Sequence, residues 1–459
     1  MNQTTLQSSP SYLISNGNLI DGTGSKAQNN CSVLIDRGVI SAVGALAEQR
    51  AKEVDQLVTV DAAGGTIMPG LIDCHCHISF DEPRSNDELF FHRREGLATL
   101  VAAANARKVL RAGVTSFFDA NCIFDVGLDL RDGIEGGVVE GPRMATGGNV
   151  LITSVGGTAG RLLPESGKLG YAVMVETIDD IVREVRRQAK KGVDWIKVHV
   201  SGLPTRRTML GAESGEVQAW RFEELKAVCD VAHSLGLPVV GHCRDAQSTY
   251  DATAAGFDML LHATYMDERA LEIVSDKKIP IVPTLTFQAN LADFGDRVGA
   301  SPHLQKIFRD EIQESSIMLR KAFEAGVPIL SGSESGFSIV PYGQWHYREL
   351  ELFVEHLGMT PLQAIRSATQ EGGRVFGLDG KLGAIKEGFI ADVLVVNGDP
   401  SADLKVLAKH DNIKHIFKNG LKVDQSQPLA ESWQLPGWRV VEFSNQVLTN
   451  EIAEQSLII

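Results

Sequence analysis

The hydrophobic pattern of this 459-residue chain changes period twice. Over residues 11–67, apolar and polar positions alternate in short runs (Tyr12-Leu13-Ile14, Ser32-Val33-Leu34-Ile35, Val39-Ile40-Ser41-Ala42-Val43, Val58-Thr59-Val60) broken by glycine-rich turns. That period of two predicts short antiparallel strands. Residues 383–424 return to the same style in Ala391-Asp392-Val393-Leu394-Val395-Val396 and His415-Ile416-Phe417-Lys418. Neither segment is long enough for an ordinary stand-alone sandwich, so the two are expected to pair as one small β-sandwich domain built from both termini. Between them, over residues 68–382, short apolar runs alternate with helical stretches, the signature of repeated βα units. Strands are expected at 71–77, 114–119, 143–146, 195–200, 238–242, 259–262, 279–283 and 328–332, with helices such as 179–191, 223–235, 267–277 and 303–325 between them. Eight such strands fit an α/β fold, the (β/α)8 TIM barrel, whose active site lies at the C-terminal ends of the strands. An open doubly wound sheet competes, but it usually carries a glycine-rich phosphate fingerprint that this sequence lacks. Residues 425–459 form a C-terminal tail that the pattern does not place.

The strand tips carry the chemistry. The run Met68-Pro69-Gly70-Leu71-Ile72 leads into Asp73-Cys74-His75-Cys76-His77. Alternation along a strand points His75 and His77 the same way, which makes half of a metal site. Cys74 and Cys76 should then face away from the histidines, toward whatever packs behind the strand. The fourth strand places Lys197 inside an apolar run, which is costly unless the charge is neutralised or paired; His199 shares its face. The fifth strand ends at His242, the sixth at His262, and the eighth runs into Ser331-Gly332-Ser333-Glu334. The expected centre holds two divalent ions, one on His75, His77 and Glu334, the other on His242 and His262. Lys197 fits if its amine, deprotonated by burial, has captured CO2 as N6-carboxylysine and bridges the pair. A shared hydroxide would follow, since metal binding moves the pKa of water from about 15.7 toward 7. Taken singly, each residue has a plainer reading: a snorkelling or paired lysine, hydrogen-bonded core histidines, a loop acid. Their joint occurrence at successive strand tips favours the metal.

Composition narrows the partners. The chain is 43% hydrophobic and carries a formal net charge of −14, which argues against nucleic acid and anionic membranes. No apolar run approaches the roughly 20 residues of a membrane span, and residues 1–9 show no basic-then-apolar signal pattern. The six cysteines have no disulfide-scaffold spacing and read as buried filler in a reducing compartment, with the cytoplasm as the expected location.

With those residues in view, the chain resembles the amidohydrolase superfamily over roughly residues 11–424. The family pattern of His-x-His, a strand-four lysine, two later histidines and a strand-eight acid falls on His75, His77, Lys197, His242, His262 and Glu334. The closing run Gly383-Ala384-Ile385-Lys386-Glu387-Gly388 to Val393 is similar too. Trp195-Ile196-Lys197-Val198, the 153–160 loop and Gly326-Val327-Pro328 are similar to the imidazolonepropionase-like and Xaa-Pro dipeptidase-like group. The resemblance implies a metal-dependent hydrolase that cleaves an amide, carbamate or urea C–N bond by attack of a metal-bridging hydroxide on the carbonyl. It also implies a small-molecule substrate and a homo-oligomer. Zinc is the first choice of metal, with cobalt, manganese or nickel as alternatives.

Three departures bear on the substrate. Glu334 stands where the family usually has aspartate, and one more methylene moves a carboxylate by about 1.5 Å. Thr158 replaces a histidine common in the dipeptidase-like group. Arg244 replaces a tyrosine that polarises the carbonyl there. These changes count against peptides. Glu334 is the candidate proton shuttle. Arg244, on the face of His242, is a candidate donor to the developing oxyanion or else a salt-bridged wall residue. His199, Arg206 and Arg207 are candidate substrate contacts, the two arginines for a carboxylate. Leu203, Met209, Leu210, Phe287 and Trp345 near expected strand ends favour an apolar group instead, as in N-aryl or N-alkyl amides, ureas and carbamates. A dipeptidase or N-acyl amino acid hydrolase on the same centre, and a non-catalytic scaffold, stay as alternatives. The other histidines (His92, His233, His303, His346, His356, His410, His415) lie mostly in helical or surface contexts and receive no metal role.

Overall fold

The computed structural model of the chain describes residues 10–84, 94–155, 171–202, 216–430, 444 and 446–454. The short apolar runs of the middle region form parallel sheets, as continuous hydrophobic strands buried on both faces do. Leu71–Cys76, Val114–Asp119 and Arg143–Thr146 make a three-stranded sheet. A second sheet has six strands in the order Ala172–Met174, Val150–Ile152, Ile196–His199, Val239–Cys243, Met259–His262 and Ile281–Val282. A few hydrogen bonds join the two: Asp194 N and Trp195 N to Thr146 O at 3.0 and 3.2 Å on one side, and, through the chain at 328–331, Ile281 N to Pro328 O and Leu330 N to Ile281 O at 2.9 Å with Cys74 N to Ser331 O at 2.8 Å on the other. The strand expected at 328–332 is reduced to a bridge at Ile329. Its chain divides its hydrogen bonds among several neighbours, with Ser331 N donating to Ser367 O at 3.1 Å, and turns left-handed at Glu334.

The helices fall within a residue or two of the expected bounds, because their ends are written locally. Ile178–Lys191 starts at a capping box between Thr177 and Asp180 and stops at Gly192, left-handed with φ 85°. Pro302–Glu324 follows the Ser301 cap with proline in its first turn. Phe222–Ser234 and Glu268–Lys277 are capped less fully but hold the same positions.

Strands from both ends of the chain share one eight-stranded sheet. Thr66–Pro69 pairs antiparallel with Val393–Val396, and that seam joins the early strands to Ile413–Lys418 and Leu421–Lys422. The expectation of antiparallel pairing needs correction in two places. Ser11–Leu19 pairs parallel with both Leu57–Asp61 and Thr66–Pro69. A parallel partner requires a crossover, and the helix Ala45–Ala51 lies in the connection. The tail also finds a place. Leu448 N donates to Ser338 O at 2.8 Å, Trp345 Nε1 donates to Leu448 O at 2.8 Å, and Asn450 Nδ2 reaches Gln344 O at 3.3 Å. It therefore straps the chain that follows Glu334.

Two hydrophobic clusters sort the faces of the parallel strands. One gathers Ile72, Cys74, Phe118, Ala145, Trp195, Val240, Leu261, Val282 and Leu330, residues from each of the eight expected strand regions. The larger one, shared with the helices, takes Leu71, Cys76, Ile196, Val198, Val239, Leu260 and Ile281. Cys74 and Cys76 thus pack in different clusters, contrary to the expectation that both sit behind the histidines. The ladder between Leu71–Cys76 and Val114–Asp119 breaks register between Asp73 and Cys76. An irregularity of this kind reverses the alternation past that point.

Candidate metal centre

Alternation alone would not assemble this site. Ile72 and Cys74 belong to the cluster shared by the eight expected strand regions, so an unbroken strand would send His75 and His77 toward the helices. The register break between Asp73 and Cys76 turns them inward instead. His262 poses the same problem one strand pair away, because its neighbour Leu261 already occupies the inward face. Here the backbone solves it: His262 and Ala263 are both left-handed, at φ 68° and 51°. Glu334 is left-handed as well, at φ 59°. Such conformations cost a non-glycine residue of order 1–3 kcal/mol and cluster at functional sites.

The outcome is a knot of buried imidazoles. Ring centroids of His75 and His77 lie 5.0 Å apart, those of His75 and His262 5.2 Å, and those of His242 and His262 4.6 Å. His199 stacks on His242 at 4.5 Å. One donor atom each from His75, His77 and Glu334 lies within 4.8 Å of the other two. Partners on the far side of each ring fix which nitrogen is free. His75 Nδ1 lies 2.8 Å from Thr284 Oγ1, whose hydroxyl donates to Val282 O at 3.2 Å, so the histidine donates and Nε2 keeps its lone pair. His77 Nδ1 faces Asn121 O at 3.4 Å and must donate likewise. His242 Nε2 donates to Glu216 Oε2 at 2.8 Å, which leaves Nδ1 as its lone-pair nitrogen. Both ring nitrogens of His262 are buried without a partner among the described residues. An orphan of that kind is costly in a protein interior unless something outside the chain satisfies it. The donor set fits a divalent cation.

Electrostatics agree with that fit. Burial, reinforced by neighbouring imidazoles and Lys197, holds the site histidines neutral, with His77 lowered to about 3 and His75, His199 and His262 well below the ordinary value. His242 is lowered too, with burial the largest cause. Neutral imidazole is the form that binds metal. Lys197 is 1% exposed, and burial brings its ammonium down to about 7 against the pull of Glu334. A fraction of the amine is therefore unprotonated at neutral pH, as carbamate formation requires. Glu334 is raised to about 8, by burial against Arg244 and Lys197.

Arg244 follows the strand Val239–Cys243 directly, and its guanidinium is already engaged. Its Nη2 donates to both Glu311 oxygens at 2.6 Å, and its Nε lies 3.8 Å from Glu216. Arg206 and Arg207 lie outside the described residues, as do Thr158, Leu203, Met209 and Leu210. Three residues escaped the sequence reading. Glu216 accepts from Ser201 Oγ at 2.6 Å as well as from His242. Burial raises its pKa, but His242, Arg244 and Ser201 outweigh that and hold it at about 2. Glu311 clamps Arg244 from the helix Pro302–Glu324. His346 is buried at 5% exposure, in neither a helical nor a surface context, and donates to Asp73. A single acid in a loop or on a helix carries no periodic signal, so nothing in the sequence marked these partners.

A model of the family described as "Amidohydrolase family" matches residues 66–423. Ochratoxinase of Aspergillus niger is 28% identical over 429 residues, covering 88% of this chain and 85% of its own. Imidazolonepropionase of Thermoplasma volcanium is 21% identical over 403 residues, 85% of this chain and 90% of its own. Among solved structures, a Xaa-Pro dipeptidase with methionine bound in its active site superposes with a TM-score of 0.75 at 27% identity, over 90% of this chain and 99% of that one.

Proposed function

Because the chain belongs to the amidohydrolase family and is a hydrolase acting on carbon–nitrogen bonds, we propose that it works through two divalent ions held at the strand tips. His75, His77 and Glu334 would hold one, His242 and His262 the other, and Lys197, as N6-carboxylysine, would bridge them. Zinc is the first choice of metal, since imidazole and carboxylate suit it. The observation that carries the reading is the pair of orphaned nitrogens on His262, set beside three donors within 4.8 Å of one another.

Ions held there would supply Lewis acidity toward a carbonyl and toward water. The chain's own groups do the rest. Glu334 can take the proton of the attacking water and return it to the leaving nitrogen, because a cation beside it would favour its ionised form over the neutral one that burial favours in the metal-free chain. Thr284, Asn121 and Glu216 hold the imidazoles in the tautomers that leave a lone pair available. Arg244, paired with Glu311 and close to Glu216, is taken as the salt-bridged wall residue rather than as the donor to the oxyanion. His199, Arg206 and Arg207 stay as proposed substrate contacts.

The scaffold reading goes with it. We take the parallel sheets of 68–382 as arcs of a (β/α)8 barrel, supported by the cluster to which all eight expected strand regions contribute and by the hydrogen bonds between the sheets. The sheet of 11–67 and 383–424 is taken as a small β-sandwich, supported by a core that joins Tyr12 and Ile14 to Val395 and Phe417. All six cysteines are buried and unpaired, which supports a reducing compartment and hence the cytoplasm. Among the described residues no helix is long and apolar enough to cross a membrane.

For the substrate we propose a small neutral amide, carbamate or urea bearing an apolar group. Glu216 and Glu311 already occupy the guanidinium of Arg244, which leaves it little charge for a substrate carboxylate. Aromatic rings line the other side: Phe80 stacks on His77 at 4.3 Å and meets Phe337 edge-on at 5.4 Å. Turnover by zinc- and cobalt-loaded protein should be compared across anilides, carbamates, phenylureas, dipeptides and N-acyl amino acids. Efficient cleavage of the last two alone would overturn this choice, and no cleavage of any would favour a non-catalytic scaffold.

A further inference from the structure

Asp73 lies between two strand tips that carry proposed ligands without being one itself. Its carboxylate, 3% exposed, accepts four hydrogen bonds. Oδ1 takes the backbone N–H groups of His75 and Ser333, each at 3.0 Å. Oδ2 takes Ser333 Oγ at 2.5 Å and His346 Nδ1 at 2.7 Å. The other nitrogen of His346 accepts from Gly343 N at 3.2 Å, so Nδ1 carries the proton. Ser333 Oγ also accepts from Ser335 N at 3.1 Å. Between those two serines stands Glu334, left-handed, with its own N–H given to His75 O at 2.6 Å. The strained turn that presents Glu334 is thus tied on both flanks to the His-x-His strand, and one carboxylate makes the tie.

Asp73, Cys76 and His346 bring donor atoms close enough to suggest an ion of their own. Both oxygens of Asp73 and both nitrogens of His346 are already spent in the hydrogen bonds above, so they do not form a second metal site. The geometry points instead to Asp73 and His346 as positioning residues, which hold Glu334 in register with His75 and His77 through Ser333. A buried carboxylate that oriented only the fold would have no need to bind the backbone of two ligand-bearing tips at once. The inference rests on the metal-centre reading above and adds to it the residues that set its geometry.

Cobalt(II) is the probe, because its visible absorption reports coordination geometry. Wild type, Ser333→Ala, His346→Leu and His346→Asn are titrated with Co2+, and the melting temperature of each metal-free form is recorded alongside. Loss of partners behind ligands typically costs on the order of 10- to 100-fold in metal affinity. Ser333→Ala and His346→Leu are expected to lose that much and to shift the cobalt bands, with metal-free Ser333→Ala still melting close to wild type. His346→Asn keeps an N–H for Asp73 and should recover part of the affinity. Wild-type affinity and spectrum in folded Ser333→Ala and His346→Leu would overturn the inference; if His346→Leu fails to fold, Ser333→Ala alone decides it. Failure of wild type to bind Co2+ at all would sink the metal centre first and this inference with it.

Discussion

Replacing Glu216 with glutamine removes a charge while keeping the shape, and the structure sets the size of the effect. Glu216 lies 2.8 Å from His242 Nε2, 2.6 Å from Ser201 Oγ and 3.8 Å from Arg244 Nε, with 9% of its side chain exposed. Its carboxyl is held at about 2 against an ordinary 4.5. At about 1.4 kcal/mol per tenfold change in proton affinity, that is about 3 kcal/mol favouring the folded, ionised form. A depressed carboxyl stabilises fully above its unfolded pKa and loses that contribution as pH falls through the folded value. The window therefore runs from about pH 4.5 down to about pH 2. Urea unfolding of chelator-treated protein is the assay, since a bound cation would add its own pH dependence through His242. Glu216→Gln is expected to be less stable than wild type by up to about 3 kcal/mol at pH 7, with the gap narrowing below pH 4.5. Equal stability at pH 7, or a gap that stays constant between pH 5 and 3, would refute the assignment of Glu216 as a charge locked to His242 and Arg244.

Other substitutions test other parts of the account. Lys197→Ala should abolish turnover and lower metal content, with partial rescue by short-chain carboxylates; unaltered activity would rule out the carbamate bridge. Reactivation of metal-free protein by zinc and bicarbonate should quicken as pH rises through about 7, where the Lys197 amine loses its proton; a rate that falls over that range would contradict it. A Cβ at Gly332 would lie 2.3 Å from Val282 Cγ1 and 2.7 Å from His75 Cβ. Gly332→Ala should therefore cost about 1–3 kcal/mol by overpacking and weaken zinc binding, as calorimetry would show. Deleting residues 444–459 removes the bonds to Ser338, Trp345 and Gln344. Hydrogen exchange at 337–347 should then speed up, and unchanged protection would show that the strap holds nothing.

Much of the site was legible because its residues sit at the ends of apolar runs. His75, His77, His242, His262 and Glu334 could be read as polar residues at or just past the end of an apolar run, and Lys197 as a charge inside one; the structure brings them close together. Alternation also placed Lys197 correctly, on the parity of Trp195. It failed for His262, whose parity belongs to Leu260 on the helix side, and only a left-handed backbone corrects it. It failed again at Cys74, where the break beside Asp73 was invisible, because no glycine or proline marks it. Glu216, Glu311 and His346 were missed for a related reason: each acts through a partner far along the chain, at separations of 26, 67 and 273 residues. The terminal strands were legible as strands, but parallel pairing depends on which edge a crossover reaches, and period alone does not record that.

The central claim is that cations sit among these imidazoles. Crystals of zinc-loaded protein grown with bicarbonate, measured on both sides of the zinc absorption edge, test it most directly. The account predicts two anomalous peaks, one in reach of His75, His77 and Glu334 and one in reach of His242 and His262, with density for a carboxylated Lys197 between them. Peaks confined to other parts of the surface, or none at full zinc loading, would contradict it.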